Sequence, residues 1–117
     1  MVKDRGVPTL PSHVRLAWPT LQVMKRLNRP AKNAEVARLV AKEIRLTPEQ
    51  ISILSGSGSR TLLEYRLCWS RTFLKTMGAI AKIGPAEWAV TKDGCTVTEV
   101  DIDAASKQLL HNLKSRG

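Results

Sequence analysis

Cysteine and histidine are scarce in this chain of 117 residues, which carries two of each. Cys68, Cys95, His13 and His111 form no pair at the spacing of zinc ligands. Scattered thiols in a reducing compartment are the simplest interpretation of the two cysteines. The composition therefore argues against a zinc module or a disulfide framework, and we expect neither a metal nor a cofactor.

Catalytic motifs are missing as well. The sequence has no Cys–His pairing signature of nucleophilic catalysis. The glycine-serine run at residues 55–59 is not followed by the Lys-Ser/Thr of a phosphate-binding loop. We therefore expect that this chain is not an enzyme.

Aromatic residues make up only 4% of the chain, and long apolar runs are absent. A platform that stacks single-stranded bases would use several exposed aromatics, so this scarcity argues against one. No apolar run approaches the roughly 20 residues of a membrane span. The first twelve residues contain no apolar signal region either. We expect a soluble cytoplasmic protein that does not bind membranes.

Acidic residues are outnumbered, with 10 aspartates and glutamates against 19 lysines and arginines. The excess is uneven, because residues 1–92 hold 16 basic and 6 acidic side chains, whereas residues 93–117 hold 3 and 4. The positive field thus belongs to the first part of the chain. A sequence pI near 10.2 is in the range that indicates a nucleic-acid partner, although a generically basic protein would share it.

The chain fits one domain that begins after a flexible segment at residues 1–14. Pro19 suits the first turn of a helix that ends near Asn28, and Asn33 can cap a second helix. Residues 47–50 read Thr-Pro-Glu-Gln, a capping box that opens a short third helix. The glycine-serine run that follows could be an interdomain linker. We interpret it as a turn, because neither flank alone could bury a core.

Residues 59–78 predict a long helix with two different faces. Its apolar face recurs at steps of three and four residues, and polar residues fall on the opposite side. The predicted inner face comprises Leu63, Leu67, Ser70, Leu74 and Met77, and the predicted outer face comprises Thr61, Tyr65, Cys68 and Thr72, flanked by Glu64, Arg71 and Lys75.

A hairpin follows, because Ile80 alternates with Lys82 and Trp88 alternates with Val90 around residues 84–86. An amphipathic helix from about Ile102 to Leu113 forms a C-terminal extension at residues 95–117. This order predicts a mainly α fold with a small β-hairpin, a winged helix-turn-helix over residues 15–94. The long helix would then be the reading helix and the hairpin the wing.

The pattern R-x-x-W-S-R-T-x-L-K-x-x-G, followed by V-T-x-x-G, resembles the N-terminal domain of Mrr-type restriction endonucleases. The matching positions are Arg66, Trp69, Ser70, Arg71, Thr72, Leu74, Lys75 and Gly78, then Val90, Thr91 and Gly94. The resemblance covers roughly residues 15–94. It implies a winged helix that delivers DNA to a separate nuclease domain, in a bacterial-type protein associated with the nucleoid.

The nuclease of such a protein needs an acidic and lysine cluster that holds metal. Asp101, Asp103 and Lys107 superficially resemble one, but aspartates at a helix start are favoured for capping and dipole reasons. We therefore interpret these aspartates as structural. The chain is either a fragment of a larger nuclease or a free-standing DNA binder.

The candidate nucleic-acid contacts are basic and polar residues on the reading helix, the wing and the start of the second helix. Arg60 stands where reading helices touch base edges, and arginine on guanine is the commonest specific contact. Thr61 and Glu64 also match a capping box, in which both side chains would hydrogen-bond the backbone at the helix start. Trp69 and Trp88 are expected to pack in the interior. The full candidate set is Arg60, Thr61, Tyr65, Arg71, Lys75, Lys82, Lys32 and Asn33.

Double-stranded DNA is the predicted partner, together with a nuclease domain or subunit and a second copy of the chain. Three alternatives remain open on the sequence alone: a protein-interaction or dimerisation module, a transcription regulator, and an RNA-binding winged helix. An RNA binder would prefer single strands or A-form helices to duplex DNA.

Overall fold

The computed structural model describes residues 10–56, 58 and 60–116. Five helices and three short strands follow one another along this part of the chain. They are α1 (His13–Leu27), β1 (Ala31–Lys32), α2 (Asn33–Glu43), α3 (Pro48–Ser52), α4 (Leu62–Thr76), β2 (Ile80–Gly84), β3 (Glu87–Val90) and α5 (Glu99–Arg116), with a 3-10 turn at Asp93–Thr96 before α5. This mainly helical architecture with one small antiparallel sheet confirms the predicted fold class.

Helix α1 begins six residues earlier than Pro19 suggested, so that prediction is wrong. Ser12 is the N-cap, and its hydroxyl accepts a hydrogen bond from the amide of Arg15. Pro19 lies inside the helix, where its missing N–H removes one helical hydrogen bond. The helix ends as predicted at Asn28, which adopts a left-handed conformation with φ of 52°. Residues 1–9 of the predicted flexible segment lie outside the described residues.

The predicted hairpin is present, and a third strand joins it. Strands β2 and β3 pair antiparallel, with Lys82 opposite Trp88, and β1 adds to the other edge of β3. The spatial order β1-β3-β2 is compatible with a winged helix. Two residues are too few for any alternation, so β1 gave no signal in the sequence. Its pairing places the start of α2 beside the wing.

The core lies between α1 and α4, with contributions from α2, the sheet and α5. Leu63, Leu67, Ser70 and Leu74 face inward, which confirms the predicted inner face of the long helix, although Met77 is only half-buried. Leu74 and the α1 residues Leu16 and Leu21 are fully buried. The apolar stripe of α4 is therefore what fixes this helix to the body of the domain.

We expect Leu74→Ala to lower the free energy of unfolding by about 2–4 kcal/mol, because the truncation leaves a cavity in this packed interface. Urea unfolding followed by circular dichroism measures the loss. Val100→Ala is the control, since Val100 is exposed on α5. A loss below about 0.5 kcal/mol for Leu74→Ala, the size of a surface effect, would contradict the placement of α4.

The two ends of the segment between α3 and α4 are joined by backbone hydrogen bonds. Thr47 and Gln50 form the predicted capping box of α3. The amide of Ser55 donates to the carbonyl of Arg60 at 2.9 Å, and Leu54 bridges to Thr61 in antiparallel fashion. These bonds hold Arg60 at the entry to α4.

Two glycines and a threonine join the end of α4 to the end of the wing. Gly78 has φ of 84°, a left-handed conformation that suits glycine after a helix. The Thr91 hydroxyl donates to the Gly78 carbonyl at 2.6 Å and accepts from the Gly94 amide at 2.9 Å. Gly94 is buried so tightly that a Cβ there would lie 2.0 Å from the Ala79 carbonyl oxygen. These glycines and Thr91 are therefore structural.

Helix α5 begins at Glu99, three residues before the predicted start. Thr98 and Asp101 exchange side-chain and backbone hydrogen bonds at its N-terminus, and Asp103 pairs with Lys107 one turn further along. The capping role predicted for Asp101 is therefore confirmed, whereas Asp103 forms an exposed ion pair. Ile102 is buried, while the predicted apolar positions Leu109, Leu110 and Leu113 lie outside the residues whose side chains are described.

Candidate nucleic-acid interface

Helix α4 presents its outer face because its inner face is held by α1 and its N-terminus by a capping box. Thr61 accepts from the Glu64 amide and the Glu64 carboxylate accepts from the Thr61 amide, both at 3.1 Å. The predicted box is therefore confirmed, and both side chains stabilise the helix end. The exposed side chains of α4 are Glu64, Tyr65, Trp69, Thr72, Lys75 and Thr76.

A ladder of three side chains runs along the first turns of this face. The Arg60 guanidinium lies 5.3 Å from the centre of the Tyr65 ring, in a cation–π contact. Tyr65 in turn meets Trp69 edge to face, with ring centres 6.5 Å apart. Because Tyr65 and Trp69 are 41% and 48% exposed, the ladder is a preformed polar and aromatic surface that leads from the helix entry to its middle.

Trp69 was predicted to lie in the core, and that prediction is wrong. Four residues of a 3.6-residue period place Trp69 only about 40° around the helix from Tyr65. The hydrophobic character of tryptophan favours the core, but this angle places Trp69 beside Tyr65. Counting the helical angle alone would have put Trp69 on the outer face.

Arg71 was predicted on the exposed flank, and the structure buries it. Only 6% of the residue is exposed, and its guanidinium lies 5.9 Å from the centre of the Trp88 ring. Burial lowers the pKa of Arg71, the positive charge of Arg60 lowers it further, and Cys68 acts in the opposite direction. Arginine keeps its charge despite such shifts. Arg71 is therefore a cation inside the domain, between α4 and the wing.

Asn33 does not cap α2, because Lys32 occupies the N-cap position and Asn33 is already helical. The Asn33 side-chain oxygen accepts from the Trp88 indole at 2.9 Å, and its amide donates to the Ala86 carbonyl. Lys32, which pairs in β1, is the last extended residue, so α2 begins at Asn33, one residue earlier than a cap at Asn33 would place it. Asn33 thus ties α2 to the wing, and Trp88 packs inward as predicted.

The remaining lysines of the candidate set are exposed on three different elements. Lys75 lies in the last turn of α4, Lys82 in β2 of the wing, and Lys32 in β1. None of the three forms an ion pair with a carboxylate in the described part of the chain. Their charges are therefore free to meet a polyanion.

Several residues of the sequence motif serve the scaffold instead. Arg66 donates to the carbonyls of Leu10 and Pro11 at 2.7 and 3.1 Å, and the Ser70 hydroxyl donates to the His13 carbonyl. These bonds fasten residues 10–13, which lead into α1, to α4. They explain why arginine and serine stand at these positions without any contact to a ligand.

No group of three histidine, cysteine or carboxylate side chains comes together to hold a metal ion among the residues that the structure describes. Within the same residues, no helix is both long and apolar enough to cross a bilayer.

The chain was compared with known protein families. The family model described as the Mrr N-terminal domain matches residues 13–99, which is most of the chain and includes α4 and the wing. Neither the comparison with curated proteins nor the one with solved structures gave a match.

Proposed function

We propose that this chain, which belongs to the family of Mrr N-terminal domains, binds double-stranded DNA through the outer face of α4. The observation that carries the proposal is the exposed Arg60–Tyr65–Trp69 ladder at the start of this helix. Reading helices contact base edges with their N-terminal residues. Arg60 has the fork of donors that matches the O6 and N7 atoms of guanine.

The basic residues around the ladder suit the two backbones that border a groove. Lys75 lies 14 residues beyond Thr61, about 20 Å along the helix, so it can reach a phosphate at the far end of α4. Lys82 on the wing and Lys32 beside it lie on a separate part of the sheet. Such contacts position the domain on DNA without reading sequence.

Duplex DNA fits this surface better than RNA or a single strand. The major groove of B-form DNA admits a helix, whereas that of A-form RNA is too narrow and deep for side chains to read. Single-strand binders stack bases on flat, exposed aromatic faces. Here Tyr65 and Trp69 are turned to each other at 75°, edge to face, which does not form a flat platform.

The chain acts in this proposal as a targeting module rather than as a catalyst. Its family is associated with Mrr-type restriction systems. A nuclease domain or subunit would then be its partner, and the chain would bring that nuclease to DNA.

A protein-interaction surface is the second candidate function, and it rests on exposed apolar residues. Leu54 and Trp69 are 61% and 48% exposed, and Leu54 bridges to the start of α4. Self-association through these residues would appear in light scattering as a dimer that Leu54→Ser plus Trp69→Ser converts to a monomer. Such a dimer in a chain that binds no duplex at low salt would favour this function over the first.

The test of the proposed function is base reading by Arg60. Arg60→Ala should weaken binding to a duplex selected from a random pool by about 1–3 kcal/mol, and weaken binding to a scrambled duplex little, because only the selected site offers the guanine. Fluorescence anisotropy with labelled duplexes measures both affinities.

Lys42→Ala is the matched control for that test. It removes one exposed positive charge from the far side of α2, where Lys42 lines a separate cavity with Arg26 and Arg45. Both duplexes should bind this variant almost normally. Equal losses for Arg60→Ala on the selected and scrambled duplexes would show that Arg60 contacts phosphate instead of a base.

Glu64→Gln tests a second position of the helix start, where no effect on base reading is expected. Glutamine also completes a capping box, so base preference and affinity should change little. A switch in the preferred base at one position of the selected site would make Glu64 a reader and contradict its assignment to the helix cap.

A further inference from the structure

A cavity of about 280 Å³ lies between the N-terminus of α2 and the side of α4. Its volume is near the lower end of small-ligand pockets, which run from about 300 to 1,000 Å³. The lining residues are Asn33, Ala34, Ala37, Arg60, Glu64, Leu67 and Arg71. Arg60 lines the cavity and also contacts Tyr65 on the outer face of α4, so the cavity adjoins that face.

Arg71 enters this cavity as a buried cation without a counter-ion. The residue is 94% buried, and its Nε–H has no hydrogen-bond partner in the described part of the chain. No carboxylate there forms an ion pair with it. A buried cation without a counter-ion is costly, so an anion beside this guanidinium would stabilise it.

The start of α2 supplies further donors at the same place. The N-cap residue Lys32 has no side-chain acceptor, and α2 accordingly has no side-chain cap. The amides of Ala34 and Glu35 therefore lack the partner that a capping residue would give. An uncapped helix N-terminus of this length attracts an anion through its amides and its dipole.

The charges that line the cavity favour an anion despite one carboxylate. Arg60 and Arg71 contribute two positive charges, and Glu64 contributes one negative charge. The Glu64 carboxylate is already engaged by the Thr61 amide at 3.1 Å. A net charge of +1 and the positive end of α2 remain for a ligand.

We propose that this cavity is an oxyanion site that takes one phosphate group of the DNA backbone, held by the Arg71 side chain and the first amides of α2. That the phosphate comes from DNA rests on the proposed function. It gives Arg71 a role that differs from the surface contacts, because the phosphate is gripped inside the fold and sets the position of α4 relative to the groove.

The experiment follows the Arg71 Nε–H and the Ala34 amide by nuclear magnetic resonance in the ¹⁵N-labelled full chain. Inorganic phosphate is added first, against sodium chloride at equal ionic strength. Both signals should move and saturate with phosphate and stay still with chloride. A duplex with 5′-hydroxyl ends, which carries only internal phosphates, is added to a second sample and should move the same two signals.

Each pattern of response has one meaning. If phosphate moves the signals and the bound duplex does not, the site is an oxyanion site for free phosphate and its assignment to the DNA backbone is overturned. If the duplex binds and neither ligand moves the signals, the oxyanion site is overturned while the proposed function stands. If phosphate moves the signals and the duplex fails to bind at low salt, the proposed function falls and the DNA source with it.

Arg71→Lys separates charge from geometry. Lysine keeps the positive charge and loses the planar guanidinium, so we expect phosphate affinity to fall about 10- to 100-fold, the effect of losing a hydrogen bond to a charged group. Arg15→Lys is the control, because Arg15 is exposed and lines a different cavity between α1 and α5. A thermal melt checks that both variants fold. Unchanged phosphate affinity in a folded Arg71→Lys would overturn the role of this side chain.

Discussion

Gly94→Ala is expected to lower the free energy of unfolding by at least about 3 kcal/mol, the upper end of overpacking costs. The added methyl would stand 2.0 Å from the Ala79 carbonyl oxygen and 2.9 Å from a Val90 methyl. The obstructing atom is backbone, and it already accepts from the Thr91 amide. Relief therefore requires the end of the wing to move away from the end of α4. Urea unfolding monitored by tryptophan fluorescence measures the loss.

Two other glycines give graded controls for this variant. Gly56→Ala should be nearly neutral, because nothing lies within 4 Å and the backbone is not in the left-handed region. Gly78→Ala also meets open space but has φ of 84°, so it should cost about 1–3 kcal/mol from backbone strain alone. A Gly94→Ala loss no larger than that of Gly56→Ala would show that the contact between α4 and the wing is looser than described.

Local signals in the sequence were sufficient for most of the secondary structure. The two capping boxes at Thr47 and Thr61 depend on residues three positions apart, and both are present. The inner face of α4 follows from helical periodicity, which acts within one element. The family motif was recognisable too, because its tryptophan, glycines and basic residues stand at fixed spacings along the chain.

Apart from Trp69, which the helical angle alone places on the outer face, the errors at the candidate site concern residues whose partners are distant in sequence. Arg71 is buried because Trp88 lies over it, and Asn33 is occupied by the same indole 55 residues away. No local pattern announces such a contact. Strand β1 exists only because β3 offers an edge to pair with. Helix α1 continues through Pro19 because Ser12 starts it earlier and its buried face packs against α4.

These corrections change what the candidate site can do. The sequence suggested a row of surface cations, in which Arg71 and Lys75 would be equivalent. The structure separates them, because Lys75 is exposed while Arg71 is enclosed beside Trp88. Trp69 joins the outer face and gives it an aromatic component next to Arg60 and Tyr65. The three proposed roles therefore belong to different side chains. Arg60 reads a base, Lys75 contacts the DNA backbone, and Arg71 acts from inside the domain.

Duplex affinity is expected to fall about 150-fold between 50 and 200 mM salt. Three exposed lysines carry charges suited to phosphates, Lys75, Lys82 and Lys32, and the Arg71 cavity is a fourth position. About four neutralised phosphates give a slope near −3.6 for log affinity against log salt, through release of counterions from DNA. Residues 1–92, with 16 basic and 6 acidic side chains, supply the field that makes so many contacts possible.

Single lysine variants show how much each lysine contributes to the salt dependence. Lys75→Ala and Lys82→Ala should each weaken binding to every duplex and make the slope shallower by about 1, since each removes one phosphate contact. Lys42→Ala removes the same charge away from α4 and the wing and should leave the slope unchanged. Net charge falls equally in all three variants. If all three lost the same affinity and slope, DNA would be bound through the overall positive charge and not through a defined surface. An affinity independent of salt would exclude a backbone-contacting DNA interface on this domain altogether.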